Sequence, residues 1–184
     1  MKQIFFALIT ITVLISSCTS TVDEKLISKH SIGFLTDSTQ VRDLQSVFPN
    51  DSIARFLSGD EFAGNINNVE IYDKEGNKLL ILTPRNSSDS TSTIQSVQII
   101  SDRFKTSKGL NSKSTFKTIK NNYKISRIHN MSKNIVITVN EINAFFNIDK
   151  NELPAELRFD NNLIIEAIQI PDDAKIKRFF IQWY

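Results

Sequence analysis

The sequence predicts an α+β domain: two tandem repeats of a short helix followed by about four antiparallel strands, with the helices packed on a curved antiparallel sheet. Three observations carry that reading. Apolar residues stepping by three and four occur twice, as Val41, Leu44 and Phe48 and as Phe116, Ile119 and Tyr123. Each trio follows a glycine and a Ser-Thr pair at one spacing, Gly33 with Ser38-Thr39 and Gly109 with Ser114-Thr115. After each trio come β-forming runs separated by turn residues.

The chain opens on a different kind of segment. Lys2 precedes an apolar run from Ile4 to Ile15, and Ser16 and Ser17 then lead to Cys18, the single cysteine of the sequence. A positive start, an apolar stretch and small residues at the end are the layout of a secretory signal. The run of about 12 residues is too short to cross a bilayer, which takes roughly 20. Ile15-Ser16-Ser17-Cys18 resembles the lipobox of bacterial lipoproteins. The resemblance implies removal of residues 1–17, acylation of Cys18 and a lipid-anchored protein of the cell envelope. Thr19 stands where an aspartate would favour retention in the inner membrane, so the same resemblance implies the outer membrane. One acyl chain holds a protein only marginally at a membrane; lipoproteins of this kind carry three, which makes the anchor permanent.

Length and charge narrow the classes further. A chain of 184 residues suits one globular domain, here 31–184, divided into repeats of about 31–106 and 107–184. Lys and Arg number 22 against 20 Asp and Glu, and this near balance argues against a nucleic-acid partner. With one cysteine there is no disulfide framework, so stability rests on the hydrophobic core. Residues 18–30, polar and without period, read as the lipidated N-terminus and its tether.

Within the first repeat, Thr39 or the serine before it is placed to cap the helix, and Pro49 to stop it. Asn68 to Tyr72 and Leu79 to Thr83 flank the turn cluster Asp73-Lys74-Glu75-Gly76-Asn77 and predict a hairpin. Arg85 to Thr93 is a polar loop, and Ile94 to Ile99 a further strand. In the second repeat Thr115 or the serine before it is placed to cap the helix, and Ile135 to Val139 and Ala144 to Ile148 predict the hairpin. Ile165 to Ile170 matches Ile94 to Ile99 in sequence and is predicted to take the same place in the sheet. Lys175 to Tyr184 reads as a closing strand with Lys177, Phe179, Ile181 and Trp183 on one face.

The glycine-led start, the short helix, the strand set and the segment Val139-Asn140-Glu141-Ile142-Asn143-Ala144-Phe145-Phe146-Asn147-Ile148-Asp149 resemble a family of small bacterial lipoproteins known as domain of unknown function 1131. The resemblance covers residues 30–184 and implies a fold, with no activity and no catalytic residues.

Chemistry is sparse. His30 and His129 are the two histidines, and neither has a second histidine or a cysteine at ligand spacing, which disfavours zinc. No nucleophile elbow is present. Asp172-Asp173 offers oxygens to a cation but lacks a binding loop around it. Five glycines in the whole sequence leave no room for a phosphate loop. The sequence thus names no catalytic residue, no metal ligand and no cofactor. Arg55 and Arg127 occupy matching places in the two repeats and are the candidate anion-binding pair, since a guanidinium binds carboxylate or phosphate bidentately. The function read from the sequence is a non-catalytic, lipid-anchored binding or interaction module. Its partner would be an envelope protein, peptidoglycan or an amphiphile. The alternative is a periplasmic hydrolase whose site sequence does not reveal.

Overall fold

A computed structural model describes residues 23–55 and 68–184. It contains twelve strands among those residues: β1 (Leu26–Ile27), β2 (Ser31–Ile32), β3 (Leu35–Thr36), β4 (Ser52–Arg55), β5 (Val69–Tyr72), β6 (Lys78–Pro84), β7 (Ile94–Ile99), β8 (Lys105–Thr106), β9 (Arg127–Asn130), β10 (Asn134–Val139), β11 (Ala144–Asp149) and β12 (Ile176–Gln182). Eight of them form one antiparallel sheet in the order β4-β5-β6-β7-β12-β11-β10-β9. Two four-stranded meanders therefore meet along the β7–β12 pair. The remaining four make a small sheet, β3-β2-β1-β8, in which β8 runs parallel to β1.

The register explains why these sequences form this sheet. One row of paired residues crosses all eight strands: Ile53, Ile71, Leu80, Ile99, Phe179, Phe146, Ile137 and Ile128. Its six inner members are buried. A second row, Val69, Leu82, Val97, Ile181, Ala144 and Val139, is buried as well. Alternate residues lie on the opposite face of a strand. The row between them is accordingly Ala54, Glu70, Ile81, Gln98, Phe180, Phe145, Thr138 and Arg127, all half-buried or exposed. One face of the sheet is core and the other is open, the usual state of an antiparallel sheet.

The covered face carries the small sheet and two short helical segments. Val41–Asp43 is a 3-10 turn leading into the four-residue α1 (Leu44–Val47), and α2 (Phe116–Asn122) has seven residues. Val41, Leu44 and Phe48 are buried, as are Phe116, Ile119 and Tyr123. Both trios join Ile27, Ile32, Leu35, Phe104 and Trp183 in one continuous hydrophobic cluster with the sheet. The indole Nε1 of Trp183 donates to the Lys29 carbonyl at 3.0 Å, fastening β12 to the turn between β1 and β2.

Several sequence expectations are corrected here. The α+β architecture of two helix-plus-strand repeats is not what forms. Among the described residues the fold is mostly sheet, about 37% strand to 17% helix, and α2 is the one substantial helix there. The first helix stays at one turn because Pro49 follows Phe48 and no side chain caps its start. Nor do the threonines cap. Thr39 Oγ1 accepts from the Thr36 amide at 2.9 Å, and Thr115 has no capping bond. Ile165 to Ile170 is not a strand. Ala167–Gln169 is a 3-10 turn closed by a capping box between Glu166 and Gln169. The place predicted for that segment belongs to β12, which pairs β7 directly. Within β12 a bulge opposite Asn147 and Ile148 brings Ile176, rather than Lys177, onto the covered face with Phe179 and Ile181. Finally, Leu26–Ile27 leaves the tether and pairs with β2 and β8, with Ile27 in the core.

Candidate functional site

The sheet builds two places where a ligand or partner fits. The first lies on the open face at its centre. Phe145 on β11 and Phe180 on β12 are directly paired, and their rings stack with centroids 4.6 Å apart and planes 12° from parallel. Both belong to Phe-Phe doublets, Phe145-Phe146 and Phe179-Phe180. A doublet in a strand sends one ring to each face, so Phe146 and Phe179 enter the core while their neighbours form an aromatic strip outside. Gln98 flanks the strip on β7 and Thr138 on β10. A shallow groove of about 250 Å³ continues from Phe145 past Val136, Thr138, Asn140 and Gln182 to Tyr184. Stacking rings rimmed by amides and hydroxyls suit a ligand with both apolar faces and polar edges.

Along the same face, at the β5–β6 end, stands a charged cluster. Lys78 Nζ lies 2.6 Å from Glu70 Oε2, and the Tyr72 hydroxyl donates to the same oxygen. Burial of the Glu70 carboxyl opposes its ionisation. The hydrogen bonds from Lys78 and Tyr72 and the Lys78 charge outweigh burial and hold it below the usual carboxylate range. The hydrogen bond to Glu70 in turn raises both Lys78 and Tyr72.

The second place is a cleft of about 470 Å³ beside β1. Glu24, Lys25, Phe34, Phe48, Asp51 and Arg103 are among its lining residues, with Ile32, Val47 and Phe104. Arg103 pairs with Asp51 at 3.7 Å and lies over the Phe104 ring, 5.2 Å from its centroid. Its Nε is buried and makes no hydrogen bond. The cleft is of ligand size, but opposite charges at its mouth neutralise one another.

The residues singled out in the sequence fare differently. Cys18 lies outside the described residues. Arg55 closes β4 and Arg127 opens β9, so six strands stand between them in the sheet. The structure does not bring the two together. The Arg55 side chain is itself outside the description, while Arg127 is exposed and its Nη1 sits 3.4 Å from His129 Nε2. His30 is exposed and pairs with Asp37 at 2.7 Å. Asp172 Oδ1 is engaged by Lys120 Nζ. Among the described residues no group of His, Cys, Asp and Glu is placed to hold a metal. The Phe-Phe doublets were the legible signal for the aromatic strip, and the sequence reading passed over them.

Comparisons with known proteins bear on the fold alone. No family model matches the chain, so the resemblance to domain of unknown function 1131 gains no support there. No curated protein matches either. Among solved structures, the chain is similar to the uncharacterized protein yfeY from Escherichia coli, with a TM-score of 0.55 at 12% identity. The match covers 86% of this chain and 99% of that one. At that identity the likeness is one of fold.

Proposed function

We propose that the chain is a non-catalytic, lipid-anchored protein of the cell envelope that offers the open face of its sheet to a partner. The observation behind the binding role is the stacked pair Phe145 and Phe180, set among polar side chains on a face the core leaves uncovered. The anchor rests on Lys2, the apolar run Ile4 to Ile15 and Ile15-Ser16-Ser17-Cys18. By that resemblance the anchor sits in the outer membrane. Intact-mass spectrometry of detergent-extracted protein tests the anchor. The expected species begins at Cys18 and carries the mass of its acyl chains. A mature N-terminus elsewhere, without lipid mass, ends the proposal. Density-gradient fractionation then places the protein, and recovery with the inner membrane contradicts the outer-membrane assignment.

A further inference from the structure

One end of the large sheet carries a group of exposed apolar side chains, beside the polar β5–β6 turn at 73–77. Strand directions place the connection between β11 and β12, residues 150–175, at that end, together with the β9–β10 tip at 131–133 and the segment 100–104 that follows β7. Within that long connection Phe159, Ile164 and Ile168 are 87%, 84% and 82% exposed. They are not displayed by a slack loop. Leu157, Ile165 and Ile170 between and beside them are buried. Asn130 Nδ2 donates to the carbonyls of Asp160 and Leu163, both at 2.9 Å, and Lys150 Nζ donates to Asn161 at 2.8 Å. The backbone is pinned while three large apolar side chains face outward. Met131, next to Asn130, is half-exposed at the same end.

The described residues begin at that end too. Glu24 and Lys25 line the cleft with Asp51 and Arg103, which adjoin the β4 and β7 termini there. The Lys25 carbonyl accepts from the Lys105 amide. Phe34, half-exposed, lines the same cleft. From Cys18 to Asp23 the chain reaches at most about 17 Å when extended. At the other end the β6–β7 loop, residues 85–93, carries no apolar side chain at all. The one large exposed ring described there, Tyr184, has a polar tip.

We infer that the β11–β12 connection is a membrane-resting surface: Phe159, Ile164 and Ile168 enter the interfacial layer of the bilayer that holds Cys18, and the tether keeps that end of the sheet down. The inference rests on the lipid-anchor reading. Scattered apolar side chains need no explanation, but three rigidly presented at the end where the described residues start form a surface that lipid covers at little ordering cost. With that end on the bilayer, the polar β6–β7 loop is the part farthest from lipid.

The test uses the full acylated protein in vesicles of phosphatidylethanolamine and phosphatidylglycerol, with and without brominated acyl chains. Phe159→Trp adds an indole at the surface, while Trp183 stays buried and serves as background. Ile164→Trp is the second variant and Thr91→Trp the control at the opposite end. Flotation first establishes that the protein is vesicle-bound. The expected result is that the added emission of Phe159→Trp and Ile164→Trp shifts to the blue and is largely lost to brominated lipid, while Thr91→Trp is unaffected. Vesicle-bound protein with equal quenching at 91 and 159, or with none at 159 and 164, overturns the inference and leaves the anchor standing. Protein that does not float with the vesicles removes the anchor and the inference together.

Discussion

The first meander (β4 to β7) and the second (β9 to β12) share strand order and little else. Each connects its strands in sequence, and each is preceded by a helical segment bridged to the residue before its last strand. Gln40 pairs with Thr93 in the first, and Thr115 with Lys175 in the second. The differences lie in what each strand order is made of. The first meander stabilises its open face with charge, the Glu70, Tyr72 and Lys78 cluster. The second uses aromatic stacking, Phe145 on Phe180. The third connection of the first is nine polar residues, whereas that of the second is a long segment with its own buried Leu153, Leu157, Ile165 and Ile170. Backbone pairing fixes the shared order; side chains beyond the two buried rows are free to differ, because that face and those loops lie outside the core.

The largest test of that comparison is the seam. Phe179 stands between Ile99 and Phe146 and is fully buried. Phe179→Ala should cost about 3–5 kcal/mol, measured by urea unfolding. The loss should appear as one earlier transition for the whole sheet. Two separate transitions would show that the meanders fold independently and that the seam is a contact rather than a core.

Next come the glycines that precede the two helical segments. Gly33 has φ +57, and a Cβ there would stand 2.2 Å from the Glu24 carbonyl oxygen. Gly109 has φ +79 with nothing within 4 Å. Gly109→Ala should cost about 1–2 kcal/mol, the strain of the left-handed backbone alone. Gly33→Ala should cost about 3 kcal/mol or more, since strain is joined by a clash with backbone. Equal losses in thermal unfolding would mean that β1 yields and is no fixed part of the first half.

A smaller effect is expected at the tie between the halves. Trp183→Phe removes the indole bond to the Lys29 carbonyl and should cost about 1 kcal/mol. Hydrogen exchange should quicken first in residues 26–32, and faster exchange confined to β7 would place the tie elsewhere.

The smallest effect is electrostatic. The folded Glu70 carboxyl lies below its ordinary value. Its contribution to stability is therefore complete above the ordinary carboxylate range and fades as the pH falls through the folded value. Asp149 of the second meander is also lowered, by the Lys177 hydrogen bond and the Asn151 amide, but its ion pair with Lys177 is more exposed. Glu70→Gln should flatten the acid limb of the denaturation midpoint more than Asp149→Asn. Equal flattening would remove the distinction between a charged first face and an aromatic second one.

Much of the sheet was legible because a strand with one buried face writes its alternation into the sequence. Asn68 to Tyr72, Ile135 to Val139 and Ala144 to Ile148 each carry such a pattern, and each holds a strand, the first beginning one residue later, at Val69. The two buried trios were legible for the same kind of reason, at helical spacing. What misled was string similarity without periodicity. Ile165 to Ile170 keeps the apolar ends and the inner glutamine of Ile94 to Ile99, yet the Glu166 and Gln169 side chains satisfy their own backbone, and this local pairing holds a 3-10 turn. The strands of the small sheet are two residues each, too short to show any period. Arg55 and Arg127 hold matching places in the sequence, but matching position is not proximity, and the sheet sends the two to its opposite edges.

The bond from Trp183 to Lys29 joins residues 154 apart, and β1 finds its other partner only at β8. Such distant pairings order the events of biogenesis. A chain synthesised N-terminus first emerges with β1 able to pair on one edge only, with β2. The core cannot close on it until Lys105 has passed, nor be fastened until Trp183 has. The hairpins can pair as they appear, but the core they share is completed only when the last strand and Trp183 are in hand.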